Sequence, residues 1–515
     1  MGELPRGWVV VSLGELLLNI EAGKSFKCEE RTPEPQEVGV VKVSAVSWGR
    51  FQEGESKTCL DSTRITPSLF IKPGDFLFSR ANTIELVGAC VIADQVSSRL
   101  MLSDKILRLN FLQNDMKIWV LHFLRSKLGR SQIEALASGN QASMRNIGQE
   151  RISQIRLPIP PRVEQTRIVE KLEALLSGLD AGMAELKAAQ HKLAHYRQSL
   201  LKAAVQGELS AAWRERHPPA ETGAQLLTRI LTERRTRWEA RQRARFAQQA
   251  KAPPKGWQNK YPEPAPPDTA GLPDLPLGWV WATVEQLADL VSGHTPKNAA
   301  DHALSAGEIP WFKVGDMNRQ GNSEWMTSAA SYFSLTDTQF LGMKVAPAGT
   351  IIFPKRGGAI ATNKKRRLSV PGCFDLNTMG LVCVDCVAEW LWHWFLGVDL
   401  GKLSDGSNVP QINNPDIAPL LVPVPPLEEQ AAIIEILGVA MRGITDQEAA
   451  VAAALKQSTA QRQNILRAAF TGQLVPHNPA DEPASALLAR IRTERAAQGD
   501  GKKKPRGRKA KGRDE

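Results

Sequence analysis

Four short stretches hold residue types that could do chemistry. Glu-Ala-Gly-Lys-Ser at 21–25 ends like a phosphate loop, whose backbone amides and lysine would cradle a nucleotide. That motif needs glycine at position 18, where the chain has Leu18. Cys383 and Cys386, in Cys-Val-Asp-Cys with Cys373 nearby, are spaced like two metal ligands. No Cys or His pair completes a set of four, and residues 379–384 alternate like a strand, so buried free thiols are expected. Gly-Glu-Ser-Lys at 54–57 offers the acid-x-lysine end of a nuclease metal site, without an acidic partner in a preceding strand. Asn-Asn-Pro-Asp-Ile at 413–417 only superficially resembles the Asn-Pro-Pro-aromatic tetrapeptide of amino-methyltransferases. No catalytic constellation forms, and neither a metal nor a bound cofactor is expected on this chain.

What remains is the chemistry of cations and amides. Arginine and lysine can pair with guanine edges or phosphates, and asparagine with adenine. Ser79, Arg80 and Asn82 follow a strand directly, and Lys105 opens another. Residues 355–367, KRGGAIATNKKRR, put Lys355, Arg356, Asn363, Lys364, Lys365, Arg366 and Arg367 in one loop, with glycines that permit close backbone approach. These eleven side chains are the candidate DNA contacts; for any one of them a solvent-facing charge is the competing reading. Gln141, Arg145, Asn408 and Gln411 lie in polar turns flanking a repeated block, which favours structural or subunit contacts. Of the net charge of +11, eight positive charges sit in 502–513, KKKPRGRKAKGR, leaving +3 for the rest. That tail reads as disordered, and seven arginines in 229–245 read as a short helix with a solvated face.

The elements that must position these groups are written twice. LPIPPRVEQTRIVEKL (157–172) and VPVPPLEEQAAIIEIL (422–437) share eight of sixteen positions, and 157–210 matches 422–475 without an insertion or deletion. LPRGWVVVSLGEL (4–16) recurs as LPLGWVWATVEQL (275–287), KPGDFLFSR (72–80) is echoed by APAGTIIFPK (346–355), and LLTRILTER (226–234) by LLARIRTER (487–495). Between these anchors the copies diverge. Leu172, Leu179, Leu186, Leu193 and Leu200 fall at seven-residue spacing, as do Leu437, Ile444, Val451, Ser458 and Ile465. Such stripes are coiled-coil seams, and a helix over 163–204 would be roughly 60 Å long, so the two copies are expected to pair antiparallel. The variable parts read as strands followed by a helix. The fold class is α+β: two mixed α/β domains separated by two long antiparallel coiled-coil helices, an internal duplication with pseudo-two-fold symmetry. The divisions are 1–157 and 272–421 for the two mixed α/β domains and 158–210 and 422–475 for the long helices. Residues 211–271 form an arginine-rich helix and proline-rich linker, and 476–515 a short helix and basic tail.

The ordered, duplicated set resembles the specificity subunit of type I restriction-modification systems. It comprises GW near the start, PGD-apolar-apolar-F-S-R, the polar turn, apolar-P-apolar-P-P-x-x-E-Q, and a long helix ending L-L-K-A-A-x-x-G-x-L. The resemblance spans residues 4–495. It implies two target recognition domains, each reading half of a split asymmetric site in double-stranded DNA, with the helices as a ruler for the spacer. It also implies that the chain is not an enzyme by itself. Two modification subunits would carry S-adenosylmethionine, and restriction subunits ATP and Mg2+. The alternatives are a standalone bipartite DNA- or RNA-binding scaffold, or a self-sufficient methyltransferase or nuclease; the latter lacks a cofactor or metal motif. The six cysteines are too few for a disulfide framework, and no apolar run reaches 18 residues, so a cytoplasmic protein without a membrane span is expected.

Overall fold

A computed structural model describes residues 4–499 except Phe26, Trp48, Ala142, Ser143 and Ser407, and without the side chains of Asn140, Gln141, Gln498 and Gly499. The basic stretch 502–513 lies outside the described residues. The chain divides into two units, one holding residues up to 188 together with those from 451 onward, the other holding 189–450.

In the first unit a four-stranded antiparallel sheet runs in the order Leu17–Ala22, Ile106–Phe111, Phe76–Ser79, Cys90–Ile92. Beside it, Gly39–Val41 pairs antiparallel with Ser56–Thr58 and parallel with Leu100–Met101. The second unit repeats this order: Ala288–Ser292, Thr378–Cys383, Ile351–Pro354 and Arg366–Leu368, with Trp325–Met326 added at the edge. Its small sheet also pairs Ile309–Phe312 antiparallel with Ser331–Phe333 and parallel with Cys373–Phe374. One topology therefore underlies both diverged regions. The tract 38–46, which reads as one strand, splits into a strand and the 3-10 turn Val43–Ala45. The helix expected near 118–136 breaks at Ser126 into Met116–Arg125 and Lys127–Leu136, because the Ser126 hydroxyl caps the second piece by accepting from the Gly129 amide.

The repeated Pro-x-Pro-Pro segment is a strand in each copy. Arg156–Ile159 pairs antiparallel with Val9–Ser12, and Leu421–Val424 with Val280–Thr283. Proline cannot donate to a ladder, so such a strand suits a two-stranded ribbon with a free edge. The carbonyls are used instead: Trp119 Nε1 donates to Pro158 O at 2.9 Å, and Trp390 Nε1 to Pro423 O at 2.8 Å. Both indoles are almost wholly buried.

Each proline pair then releases a 44-residue helix, Arg162–Val205 and Leu427–Phe470. Within the first unit Asp180 pairs with Arg462 while Glu164 meets His477, so the segments run antiparallel. Within the second, Arg197 reaches Glu448 at 2.8 Å while Ser210 and Arg214 bind Glu429, the same sense. Leu172, Leu437 and Ile444 are buried; Leu179, Leu186, Leu193, Leu200, Val451, Ser458 and Ile465 are half-buried. Two paired helices with no third layer can cover only one face of each seam. Both helices stop at a glycine with positive φ, Gly207 (φ 71°) and Gly472 (φ 73°), which explains the repeated G-x-L.

At the third position of each long helix the repeated Glu-Gln motif places a buried carboxylate. Glu429 accepts from Ser210 Oγ (2.7 Å), Arg214 Nε (2.8 Å) and Trp279 Nε1 (2.9 Å). Glu164 meets His477 Nδ1 at 3.1 Å, and its Oε1 has no hydrogen-bond partner among the described residues. The helix N-terminus itself favours both negative charges. The arginine-rich helix is not short: it runs Gly223–Gln248, opened by a Thr222–Gln225 capping box. The proline-rich segment packs on it, with Trp257 buried.

Candidate nucleic-acid interface

In the first unit the chain leaves the strand Phe76–Ser79 and at once forms Ala81–Asn82, which pairs with Met144–Asn146. That strand in turn pairs with Ser138–Gln141, so the expected polar turn is largely a hairpin. The Asn82 backbone lies opposite Arg145, and Arg80 Nε donates to Asn146 Oδ1 at 3.4 Å. The second unit builds the counterpart. Arg356 follows the strand Ile351–Pro354, bridges to Gln411, and donates from Nη2 to Gln411 Oε1 at 3.2 Å. In each copy the returning polar segment thus sets an arginine and an amide side by side at the strand exit. Arg145 and Gln411, read from sequence as structural or subunit contacts, lie beside the candidate DNA contacts.

Several candidates stand elsewhere. Ser79 is fully buried, with its hydroxyl unpartnered among the described residues, so no ligand reaches it; the correction follows from its place inside the sheet. Asn82 Oδ1 accepts from the Thr83 amide at 2.9 Å, which occupies its oxygen locally. Lys105 is exposed, and with Lys24, Lys42 and Lys57 it rims a cleft of about 430 Å3. Glu30 neutralises Lys57. Four lysines from four separated segments converge there, a cluster that sequence spacing does not disclose.

The 355–367 loop divides in two. Lys355 is half-buried, which lowers its pKa, and Arg356 is exposed. Lys364 is half-buried and donates to Asn318. The remaining candidates are held by contacts within the fold, and the stretch is not the single loop expected, because Arg366–Leu368 is a strand. Asn363 sits in the left-handed region (φ 51°), and its Oδ1 accepts from Leu400 N and Lys365 Nζ, both at 3.0 Å. Lys365 is 3% exposed, donates also to the Val398 carbonyl and lies over the Phe395 ring; burial pushes its pKa down to about 8. Arg366 donates to the carbonyls of Asn322, Lys365 and Met317. Arg367 is buried between the rings of Trp325 (4.0 Å) and Trp392 (4.8 Å) and pairs with Glu324 and Glu389. A cation stacked on two indoles and bound to two carboxylates is committed to the fold.

The rejected catalytic motifs have structural explanations. A β-carbon at Gly23 would collide with the Leu102 carbonyl, and one at its counterpart Gly293 with that of Asp375, so close backbone approach accounts for both glycines. Cys383 and Cys386 are free, half-buried thiols whose pKa values burial raises, Cys383 to about 12. Among the described residues no three His, Cys, Asp or Glu side chains gather as a metal would require, and no helix is long and apolar enough to cross a membrane.

The model of the type I restriction modification DNA specificity domain matches the chain twice, over residues 5–188 and 276–457. The chain belongs to the type I restriction-modification DNA specificity family. It is 26% identical over 402 residues to the EcoKI specificity subunit of Escherichia coli K12, covering 75% of this chain and 74% of that protein. To the EcoEI specificity subunit of Escherichia coli it is 31% identical over 205 residues, which span 39% of this chain but only 34% of that protein. A solved chain from a study of complex assembly and conformational transition of the type I restriction-modification system superimposes with a TM-score of 0.60 at 18% identity. It covers 92% of this chain and all of that one, a likeness of fold. The two family matches coincide with the two copies of the arginine–amide arrangement. Sequence-specific DNA recognition for a restriction-modification system is the role this membership carries, and a specificity subunit is a non-catalytic part of that system.

Proposed function

We propose that each unit reads one half of a bipartite, asymmetric site in double-stranded DNA, with the long helices setting the unread spacer. The observation that carries this reading is the duplicated strand exit, where Arg80 with Asn146 and Arg356 with Gln411 occupy equivalent places. Arginine reads guanine and an amide reads adenine, so two such pairs suit two different half-sites. Lys105 and its neighbouring lysines supply phosphate contacts for the first half, and Lys355 and Lys364 for the second. Two modification subunits would bind the chain and carry S-adenosylmethionine; restriction subunits would carry ATP and Mg2+. The assembly would act in the cytoplasm.

Co-expression of the chain with its modification subunit, followed by methylome sequencing, tests this. A split motif is expected, and Arg356→Ala should relax only one half. A continuous motif, or changes in both halves from that single substitution, would refute it.

A further inference from the structure

One copy alone carries an arginine-rich stretch in sequence directly after a repeated block. Past the matched block 226–234 the helix Gly223–Gln248 runs on through an arginine-rich stretch; its counterpart, Ala484–Gly499, reaches the last described residue. Residues 229–245 hold seven arginines and no lysine, against Glu233 and Glu239. The nearby carboxylates are engaged: Glu221 and Glu233 by Arg229, Glu233 again by Arg237, Glu239 by Arg235 and Arg243, Glu263 by Arg235, and Asp289 by Arg234. Arg241 and Arg245 are exposed and pair with no carboxylate among the described residues. Four-residue spacing puts Arg237, Arg241 and Arg245 on one face, about 6 Å apart along the axis. Arg234, Arg237 and Arg241 also line an open cleft of about 500 Å3 with Trp238 and Tyr261.

This helix is held, not merely solvated. Trp257 of the proline-rich segment stacks on Trp238 at 5.7 Å and meets Phe246 edge-on at 5.8 Å, while Tyr261 meets Trp238 edge-on at 5.4 Å. Arg235 lies over Tyr261 and Arg243 over Trp257. A solvated charged helix needs no aromatic clamp; a rigid row of cations does. The other copy of the preceding block is also followed by basic sequence, the eight positive charges of 502–513, with no likeness to 229–245 beyond sign. A protein partner selects shape, so its contacts would constrain both sequences. A phosphate backbone selects charge.

We infer that the face formed by Arg237, Arg241 and Arg245 grips DNA phosphates outside the bases the second unit reads, adding affinity without sequence information. This rests on the DNA-reading role proposed above. Arg241→Gln with Arg245→Gln, which keeps helix propensity, is to be tested in the full chain assembled with its modification subunits. Binding is measured across a salt series on a duplex carrying the methylated motif with long flanks, on one trimmed to the motif, and on a random duplex.

The log K against log salt slope should flatten by about 1.8, at about 0.9 per phosphate contact. The loss should be equal on motif-bearing and random long duplexes, should vanish on the trimmed duplex, and should leave the methylated motif unchanged. An unchanged slope overturns the inference, as does an unchanged slope with loss of modification subunits, which would make the face a protein-docking surface. If the wild-type assembly methylates no split motif, the half-site reading fails instead, while the slope on random duplex still decides the role of the arginines.

Discussion

Glu429→Gln should destabilise the second unit far more than Glu164→Gln destabilises the first. Glu429 has one oxygen shared by Ser210 and Arg214 and the other bound to Trp279. A glutamine can keep its carbonyl towards Arg214, but its amide then opposes the Trp279 N–H, which is 8% exposed and left unsatisfied. That costs about 1–3 kcal/mol. Losing the charge on the Arg214 contact adds about 1 kcal/mol, discounted because the Arg214 side chain is 20% exposed. The total is about 3 kcal/mol. Among the described residues Glu164 has one partner, His477, whose side chain is 27% exposed, so its loss should cost about 1 kcal/mol. Native-state hydrogen exchange on the full chain, read at 421–437 and at 156–172, separates the two units. Equal costs, or a larger cost at Glu164, would refute the assignment of Glu429 as the more firmly held anchor.

Lys365→Ala and Arg367→Met should each destabilise the second unit, the arginine change by about 1–2 kcal/mol, chiefly from lost stacking on two indoles because the half-exposed Glu324 and Glu389 rehydrate; denaturant melts at constant composition check this, while DNA affinity of the folded fraction should stay within twofold. His122 is 8% exposed, and burial pushes its pKa down to about 4. Its folded form is neutral, so the unfolded chain takes up a proton first as pH falls below about 6.5. Stability present above that pH is therefore lost between about 6.5 and 4, by about 3 kcal/mol. His122→Leu should remove that part of the pH slope, measured by acid titration of unfolding. Lys105→Ala should flatten the salt slope of DNA binding by about 0.9 without altering the methylated motif.

The seam leucines, the proline exits and the stopping glycines were legible because each depends on neighbours close in sequence. Leu172 to Leu200 announce a helix by periodicity alone, and Gly207 and Gly472 mark its end. The common strand order of the variable regions was hidden, since a strand needs only alternating apolar positions and many sequences supply them. The 355–367 stretch misled for a specific reason: charge is visible in sequence, but its counter-charge is not. Glu324, Trp325, Glu389 and Trp392 come from segments 22–43 residues away in sequence and enclose Arg367. Conversely, Trp119 and Trp390 carried a readable signal: they stand at equivalent positions, 271 residues apart, as do Trp8 and Trp279.

The core of the first unit is closed by Leu466, Ala469 and Phe470 from the far end of the second long helix, and that of the second unit by Ala204 from the end of the first. Each reader is thus completed by a piece of its sibling, a domain swap frozen within one polypeptide. Phe470 packs edge-on against Trp119 and Phe123, so this closure reaches into the diverged region itself, at a tryptophan that both copies keep. Recombination that exchanges only the stretch between the repeated Gly-Trp and the proline exit would leave the closure matched wherever the incoming stretch brings that tryptophan with it. New specificities can then arise by trading readers rather than by mutating contacts one at a time.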